Sequence, residues 1–84
     1  MNEPVRLTLY SKPGCHLCEE MKAVVARVAA RVPLRLEEVD ISQDEALMAA
    51  YGEQIPVLLI DGRKAAKYRI DEGELERRLR RRRT

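Results

Sequence analysis

The sequence predicts a mixed α/β domain in the order β-α-β-α-β-β-α, a four-stranded mixed sheet flanked by helices, and three observations predict it. Apolar residues alternate with period two near the start, change to helical spacing after about residue 16, and return as short runs bounded by turn formers. A strand–helix–strand beginning implies a parallel pair joined by a right-handed crossover. The dipeptide Asp61-Gly62, set between two short strand-like segments, predicts a hairpin that adds two strands to the same sheet. Eighty-four residues leave room for one domain, residues 1–84, burying somewhat over ~60% of the surface of the unfolded chain.

Val5-Arg6-Leu7-Thr8-Leu9-Tyr10 alternates apolar and polar residues through Leu9 and stops at Ser11-Lys12-Pro13-Gly14, a cluster of turn formers, as a strand running into a loop does. From about His16, residues Leu17, Met21, Val24, Val25 and Val28 recur at helical spacing, and Glu19, Glu20, Lys22, Arg27 and Arg31 fill the other face. Pro33 ends this helix near Val32. Leu34 to Ile41 reads as a second strand, after which Ser42 or Asp44 caps a short helix through Tyr51, with Gly52 as its stop. Ile55-Pro56-Val57-Leu58-Leu59-Ile60 is a continuous apolar run between breakers, the pattern of a strand buried on both faces and central in the sheet. Lys64 to Tyr68 returns antiparallel to it. Asp71-Glu72 opens the last helix with acidic residues in its first turn, Leu75 and Leu79 facing inward and arginines gathered at its end.

A chain that is 45% apolar and 36% charged fits a globular unit, and with three tyrosines and no Phe or Trp its core is aliphatic. No apolar run approaches the ~20 residues that cross a bilayer. Met1-Asn2-Glu3-Pro4 lacks the basic-then-apolar design of an export signal, so a cytoplasmic location with no membrane partner is expected. The net charge of +2 hides an asymmetry: Arg77, Arg78, Arg80, Arg81, Arg82 and Arg83 crowd the end, while residues 1–76 carry ten basic against fourteen acidic side chains, −4. Such a body is not a nucleic-acid surface, and nucleic acid is not expected as a partner. The arginine run alone offers cations to a polyanion or an acidic partner; against that reading, cations suit a helix C-terminus and last residues fray.

Two cysteines are too few for a disulfide scaffold, so their spacing is read as chemistry. Cys15-His16-Leu17-Cys18 lies where the first strand's loop becomes a helix. Residues three apart in a first helical turn are neighbours, and their sulfurs can join with little backbone movement. Cys15, at the N-terminal edge, faces unpaired backbone N–H groups and the positive end of the helix dipole, which favour thiolate and lower its pKa below the free-thiol value of ~8.5. Cys18, one turn inside, is placed to attack a mixed disulfide as the resolving thiol. His16 reads as an exposed first-turn residue that, as imidazolium, tunes the thiol. Lys12 is open to two readings: a solvated loop lysine, or a cation that holds an anionic thiol substrate. A zinc site within one chain is not expected, because the tetrahedron needs four ligands and only two thiolates and the single histidine are at hand. A metal or iron–sulfur cluster shared by the paired cysteines of two chains, a binding or carrier module rather than an enzyme, stays open as the alternative.

The stretch Leu9-Tyr10-Ser11-Lys12-Pro13-Gly14-Cys15-His16-Leu17-Cys18, followed by Gln54-Ile55-Pro56-Val57-Leu58-Leu59-Ile60-Asp61-Gly62, resembles the glutaredoxins of the thioredoxin-fold superfamily, over roughly Val5 to Leu79. By itself Pro56 reads as a trans proline opening a strand. The resemblance implies instead the family's cis-proline, standing against the active-site disulfide, with Ile55 offering main-chain groups to an extended substrate. His16 and Leu17 replace the proline and tyrosine typical between glutaredoxin cysteines. The Gly-Gly and following polar residue that cradle the γ-glutamyl end of glutathione have no match in Tyr68-Arg69-Ile70-Asp71-Glu72, so the resemblance does not carry glutathione dependence to this chain. Asp71 reads as the N-cap of the last helix and, by resemblance, as a contact for a substrate amine.

The expected function is thiol–disulfide oxidoreduction with a redox-active disulfide, Cys15 as nucleophile and Cys18 as resolving thiol, Lys12, Ile55, Pro56 and Asp71 as substrate-binding residues, and no metal ligand or bound cofactor. The expected partners are a disulfide-containing protein or glutathione, and a thiol electron donor, either glutathione or a thioredoxin-type reductase.

Overall fold

The computed structural model describes residues 3–83, the side chain of Arg83 aside; the first two positions of the start read above and the end of the arginine run lie outside the described residues. Strand β1 (Val5–Ser11) is followed by helix α1 (His16–Ala29), strand β2 (Leu34–Asp40), a 3-10 turn at Ile41–Gln43, helix α2 (Glu45–Tyr51), strands β3 (Val57–Ile60) and β4 (Arg63–Lys67), and helix α3 (Glu72–Arg83). The sheet order is β2-β1-β3-β4. β1 runs parallel to β2, from Val5 opposite Leu34 to Ser11 opposite Asp40, and antiparallel to β3, from Leu7 opposite Ile60 to Tyr10 opposite Val57. The fold is the expected mixed four-stranded sheet with three helices.

The period-two alternation of β1 has its physical meaning here. Val5, Leu7, Leu9 and Ser11 are buried on one face of the central strand, and the first three join Met21, Val25, Val28 and Val32 from α1 and its exit, Leu58 from β3, and Leu75 and Leu79 from α3 in one aliphatic cluster. Ile41, Val57 and Leu59 are buried outside that cluster. Tyr10, on the opposite face of β1 from Leu9, meets the ring of Tyr51 from α2 at 5.0 Å between centroids.

Several boundaries differ from the expectation, each for a local reason. α1 ends at Ala29 rather than near Val32, because the chain tightens there: Ala30 N–H bonds to Arg27 C=O, and both Arg31 and Val32 N–H reach Val28 C=O. β2 stops at Asp40, whose carboxylate accepts the Ser42 N–H at 2.9 Å and starts the 3-10 turn; Asp44, not Ser42, caps α2 through the Leu47 N–H at 3.0 Å. Gly52 closes α2 in a right-handed conformation, φ −54°, so it is not the left-handed stop that glycine supplies elsewhere. β3 starts at Val57 rather than at Ile55, the first residue of the apolar run. The hairpin turn has Asp61 at φ 51° and Gly62 at φ 82°, both left-handed as a two-residue primed turn requires. β4 is shifted one residue earlier than expected, since Tyr68 has φ 69° and leaves the strand. Leu58 pairs with Ala66 and Leu59 with Lys64, which leaves Ala65 as a bulge whose carbonyl accepts a 2.9 Å hydrogen bond from the Arg78 guanidinium.

α3 is tied across to α1 by Arg27 and Arg31, which pair with Glu72, and Arg31 again with Glu76, itself bonded to Arg80. Hydrogen bonds from Arg27 and then Arg31 hold the Glu72 carboxyl below the usual carboxylate range; Arg31 and then Arg80 do the same for Glu76. A carboxyl whose pKa is lowered by folding adds stability that is fully present above its unfolded value and disappears as pH falls through the folded one. Arg31→Ala is therefore expected to lower the melting temperature slightly at neutral pH. The difference from wild type closes as the pH drops below about 4 and shrinks in high salt. Thermal melts of both chains across pH check this; a difference that persists in acid contradicts it.

Candidate redox site

The loop leaving β1 turns sharply enough to aim a cysteine at a helix end. Gly14 sits at φ +77°, a conformation that L side chains rarely adopt, and the Cys15 N–H closes the turn onto the Lys12 carbonyl at 3.3 Å. Cys15 then takes extended backbone angles, φ −86° and ψ 109°, and becomes the N-cap of α1. Its Sγ accepts the Cys18 N–H at 3.1 Å, the place a serine or aspartate oxygen takes in an ordinary cap, and its carbonyl accepts the Glu19 N–H at 3.2 Å. Cys15 and Cys18 are joined as a disulfide, with Cα atoms 5.2 Å apart.

The two sulfurs are not equivalent. Cys18 is buried at 1% exposure, whereas Cys15 at the edge is only partly covered, so Cys15 is the more accessible of the two. His16 points into solvent and pairs with Glu20, 3.0 Å away one turn on.

The antiparallel register brings the second motif to the same place. The ladder between β1 and β3 ends with Tyr10 opposite Val57, so Ile55-Pro56 enters β3 at the end of the sheet where β1 gives way to the cysteine loop. The Ile55–Pro56 bond is cis, and Pro56 is buried. The Pro56 carbonyl is occupied by the Tyr68 N–H at 2.8 Å, but the N–H and C=O of Ile55 have no hydrogen-bond partner among the described residues. Half-buried and unpaired, they are main-chain groups of the kind an extended peptide satisfies. The Lys12 side chain also has no ion-pair partner among the described residues.

Asp71 is placed differently. Its Oδ2 accepts the Glu74 N–H at 3.1 Å and its carbonyl the Leu75 N–H at 2.9 Å, so it caps α3, and no hydrogen bond or ion pair joins it to Lys12, Cys15 or Cys18. Among the described residues no group of three or more His, Cys, Asp and Glu side chains gathers as a metal-ligand set.

Sequence reasoning missed the polar chain beneath this loop. Ser11, 4% exposed, donates to Glu38 at 3.1 Å, and Glu38 in turn takes Lys22 Nζ at 3.2 Å. These bonds fix the end of β1 to β2 and to the turn of α1 that follows Cys18. Its signal was legible: Ser11 continues the inward series Val5, Leu7, Leu9, and a hydroxyl at an inward position needs a partner. Tyr68 was missed as well; its hydroxyl donates to the Glu53 carbonyl at 3.0 Å, linking the end of β4 to the segment before Ile55.

Comparison with known proteins agrees with this geometry. The solution structure of protein Ne2328 from Nitrosomonas europaea superposes with a TM-score of 0.82 at 31% identity, over 94% of this chain and 95% of that one. A thioredoxin variant from Halobacterium salinarum, 24% identical, shares the fold with a TM-score of 0.69, over 98% of this chain and 77% of its own. A glutaredoxin-like protein of Dictyostelium discoideum is 29% identical over an alignment of 77 positions that covers 84% of this chain and 71% of that protein. The family model for the glutaredoxin-like domain (DUF836) matches residues 6–80, so a thioredoxin fold carrying a Cys-x-x-Cys pair at a helix start is here a member of the glutaredoxin-like domain family.

Proposed function

We propose that this protein is a thiol–disulfide oxidoreductase working in a reducing, cytoplasmic setting. The observation that carries the reading is the N-cap position of Cys15, whose sulfur takes a backbone N–H of α1 at 3.1 Å. In the reduced chain the same N–H, with the helix dipole behind it, stabilises a thiolate. That thiolate attacks one sulfur of a substrate disulfide; a mixed disulfide forms and the other half of the substrate leaves as a thiolate. The Cys18 sulfur, losing its proton, then attacks Cys15 Sγ, closes the Cys15–Cys18 bond and releases the second thiol. Two electrons pass from the dithiol to the substrate, and a thiol donor, glutathione or a thioredoxin-type reductase, returns them.

Ile55 supports this reading by offering free main-chain groups at the same end of the sheet as the cysteine loop, a mode of recognition that reads backbone and accepts many sequences. Pro56 shapes that edge, and Lys12 provides a cation for an anionic thiol substrate. Asp71, as the cap of α3, serves substrate binding only through a carboxylate oxygen beyond the one that caps the helix.

The test is reduction of a protein disulfide by dithiothreitol in the presence of catalytic amounts of the chain. A rate well above that of dithiothreitol alone is expected; no acceleration overturns the reading. Equilibrating the dithiol against glutathione and against a thioredoxin-type donor then identifies the better electron source, since 30 mV corresponds to about 1.4 kcal/mol.

A further inference from the structure

An open groove of about 890 Å³ lies away from the cysteines, between the β3–β4 hairpin and α3. The Asp61 N–H donates to the Arg6 carbonyl at 2.8 Å, which sets this hairpin turn beside the start of β1. Cys15 follows the end of β1, seven residues or roughly 20 Å of strand away. Six cations line the groove: Arg63, Lys64, Arg77, Arg78, Arg81 and Arg82. Asp61 and Glu74 are the only carboxylates among its lining residues, and they pair with Arg82 and Arg78. Arg63 and Arg77 have no hydrogen-bond or ion-pair partner among the described residues, and Lys64 bonds only the neutral Gln54 side chain. The rest of the chain is acidic on balance, so the charge here is local, and at Arg63, Lys64 and Arg77 no carboxylate offsets it.

We propose that this groove docks an acidic, extended segment of a partner protein, remote from the redox site. Arg77, Arg78, Arg81 and Arg82 form a stripe at i, i+1, i+4 and i+5 along α3, so successive pairs are one turn apart, about 6 Å. Alternate side chains on one face of an extended peptide stand about 6.7 Å apart. A segment with carboxylates at every second residue therefore presents one per helical turn, and guanidinium forks bind carboxylates with two parallel hydrogen bonds. Backbone pairing with the edge strand β4 is not the mode: Ala65 is bulged, and Arg78 already occupies its carbonyl. A nucleic acid fits less well. No aromatic side chain lines the groove to stack a base, and a phosphate chain running out of it meets an acidic body.

The test uses the whole chain and fluorescence anisotropy at low and physiological salt. The probes are a short labelled peptide alternating Glu and Ser, its Gln counterpart, a single-stranded oligonucleotide, and vesicles containing anionic lipid. The Glu peptide is expected to bind roughly tenfold tighter than the Gln peptide, with affinity falling as salt rises. The double variant Arg63→Glu, Arg77→Glu, or the milder Arg63→Gln, Arg77→Gln where the first fails to fold, is expected to lose that advantage. Arg35→Glu, exposed on the far edge strand β2, and Cys15→Ser are expected to keep it. Equal affinity for the Glu and Gln peptides, a double variant that binds like Arg35→Glu, or tighter binding of the oligonucleotide or the vesicles through Arg63 and Arg77 overturns the proposal.

Discussion

Cys15→Ser is expected to abolish disulfide reduction, with a loss on the order of 10³-fold or more, because a serine hydroxyl at that position is neither ionised near neutrality nor able to form the mixed disulfide. Cys18→Ser has a different consequence. The partly exposed Cys15 keeps its capping N–H from residue 18, since that group belongs to the backbone, and still attacks. What is missing is the buried sulfur that resolves the adduct. The Cys18→Ser chain is therefore expected to consume one substrate disulfide per molecule and stop as a mixed disulfide through Cys15. Mass spectrometry of the intact protein after a single addition of substrate reads both outcomes. Full turnover by Cys15→Ser, or an adduct on Cys18 in wild type, contradicts the assignment of roles.

Leu9→Ala is expected to have the largest effect on stability. Leu9 is fully buried in the central strand, in one aliphatic cluster with residues of α1 and α3, and its register partner Leu58 is also fully buried. Removing its branched end leaves a cavity that a strand paired on both sides cannot collapse into. The cost is about 3–4 kcal/mol. A chain of this size has about 4–13 kcal/mol in total. At about 4–8 °C per kcal/mol the melting temperature falls by about 12–30 °C. Leu36→Ala, a half-buried position on edge strand β2, is expected to cost about half as much or less. Denaturant unfolding of the two variants against wild type measures the contrast; equal losses contradict the placement of the core.

The features most legible in the sequence are those set by local periodicity and by turn chemistry. The change from period two to helical spacing marks β1 and α1, the apolar run Ile55–Ile60 marks a central strand that the structure begins two residues later, and Asp61-Gly62 marks the hairpin. Less legible were features decided by contacts between distant residues. Ser42, Asp44 and Asp40 all suit a cap, and only the path of the chain selects Asp40 for the 3-10 turn and Asp44 for α2. Two successive alanines hide the bulge at Ala65, whose carbonyl accepts from Arg78 thirteen residues away. The arginine run read as cations suiting a helix C-terminus, and the partners that Arg78, Arg80 and Arg82 find in Glu74, Glu76 and Asp61 depend on the fold rather than on the run itself.

At the site, the helix-start position of Cys15 followed from the loop and the helical spacing after it. The cis bond before Pro56 did not follow from composition, because a proline opening a strand is ordinarily trans; it came from the resemblance, and the structure has it. Asp71 shows the opposite case, where local helix-capping chemistry was readable and its place relative to the cysteines was not.

The central claim is that backbone N–H groups at the start of α1 hold the Cys15 sulfur as a thiolate near neutral pH. The most direct measurement is the iodoacetamide alkylation rate of Cys15 in the reduced Cys18→Ser chain as a function of pH. The rate is expected to reach half its plateau at least about one unit below the ~8.5 of an ordinary thiol; a midpoint at or above that value contradicts the account.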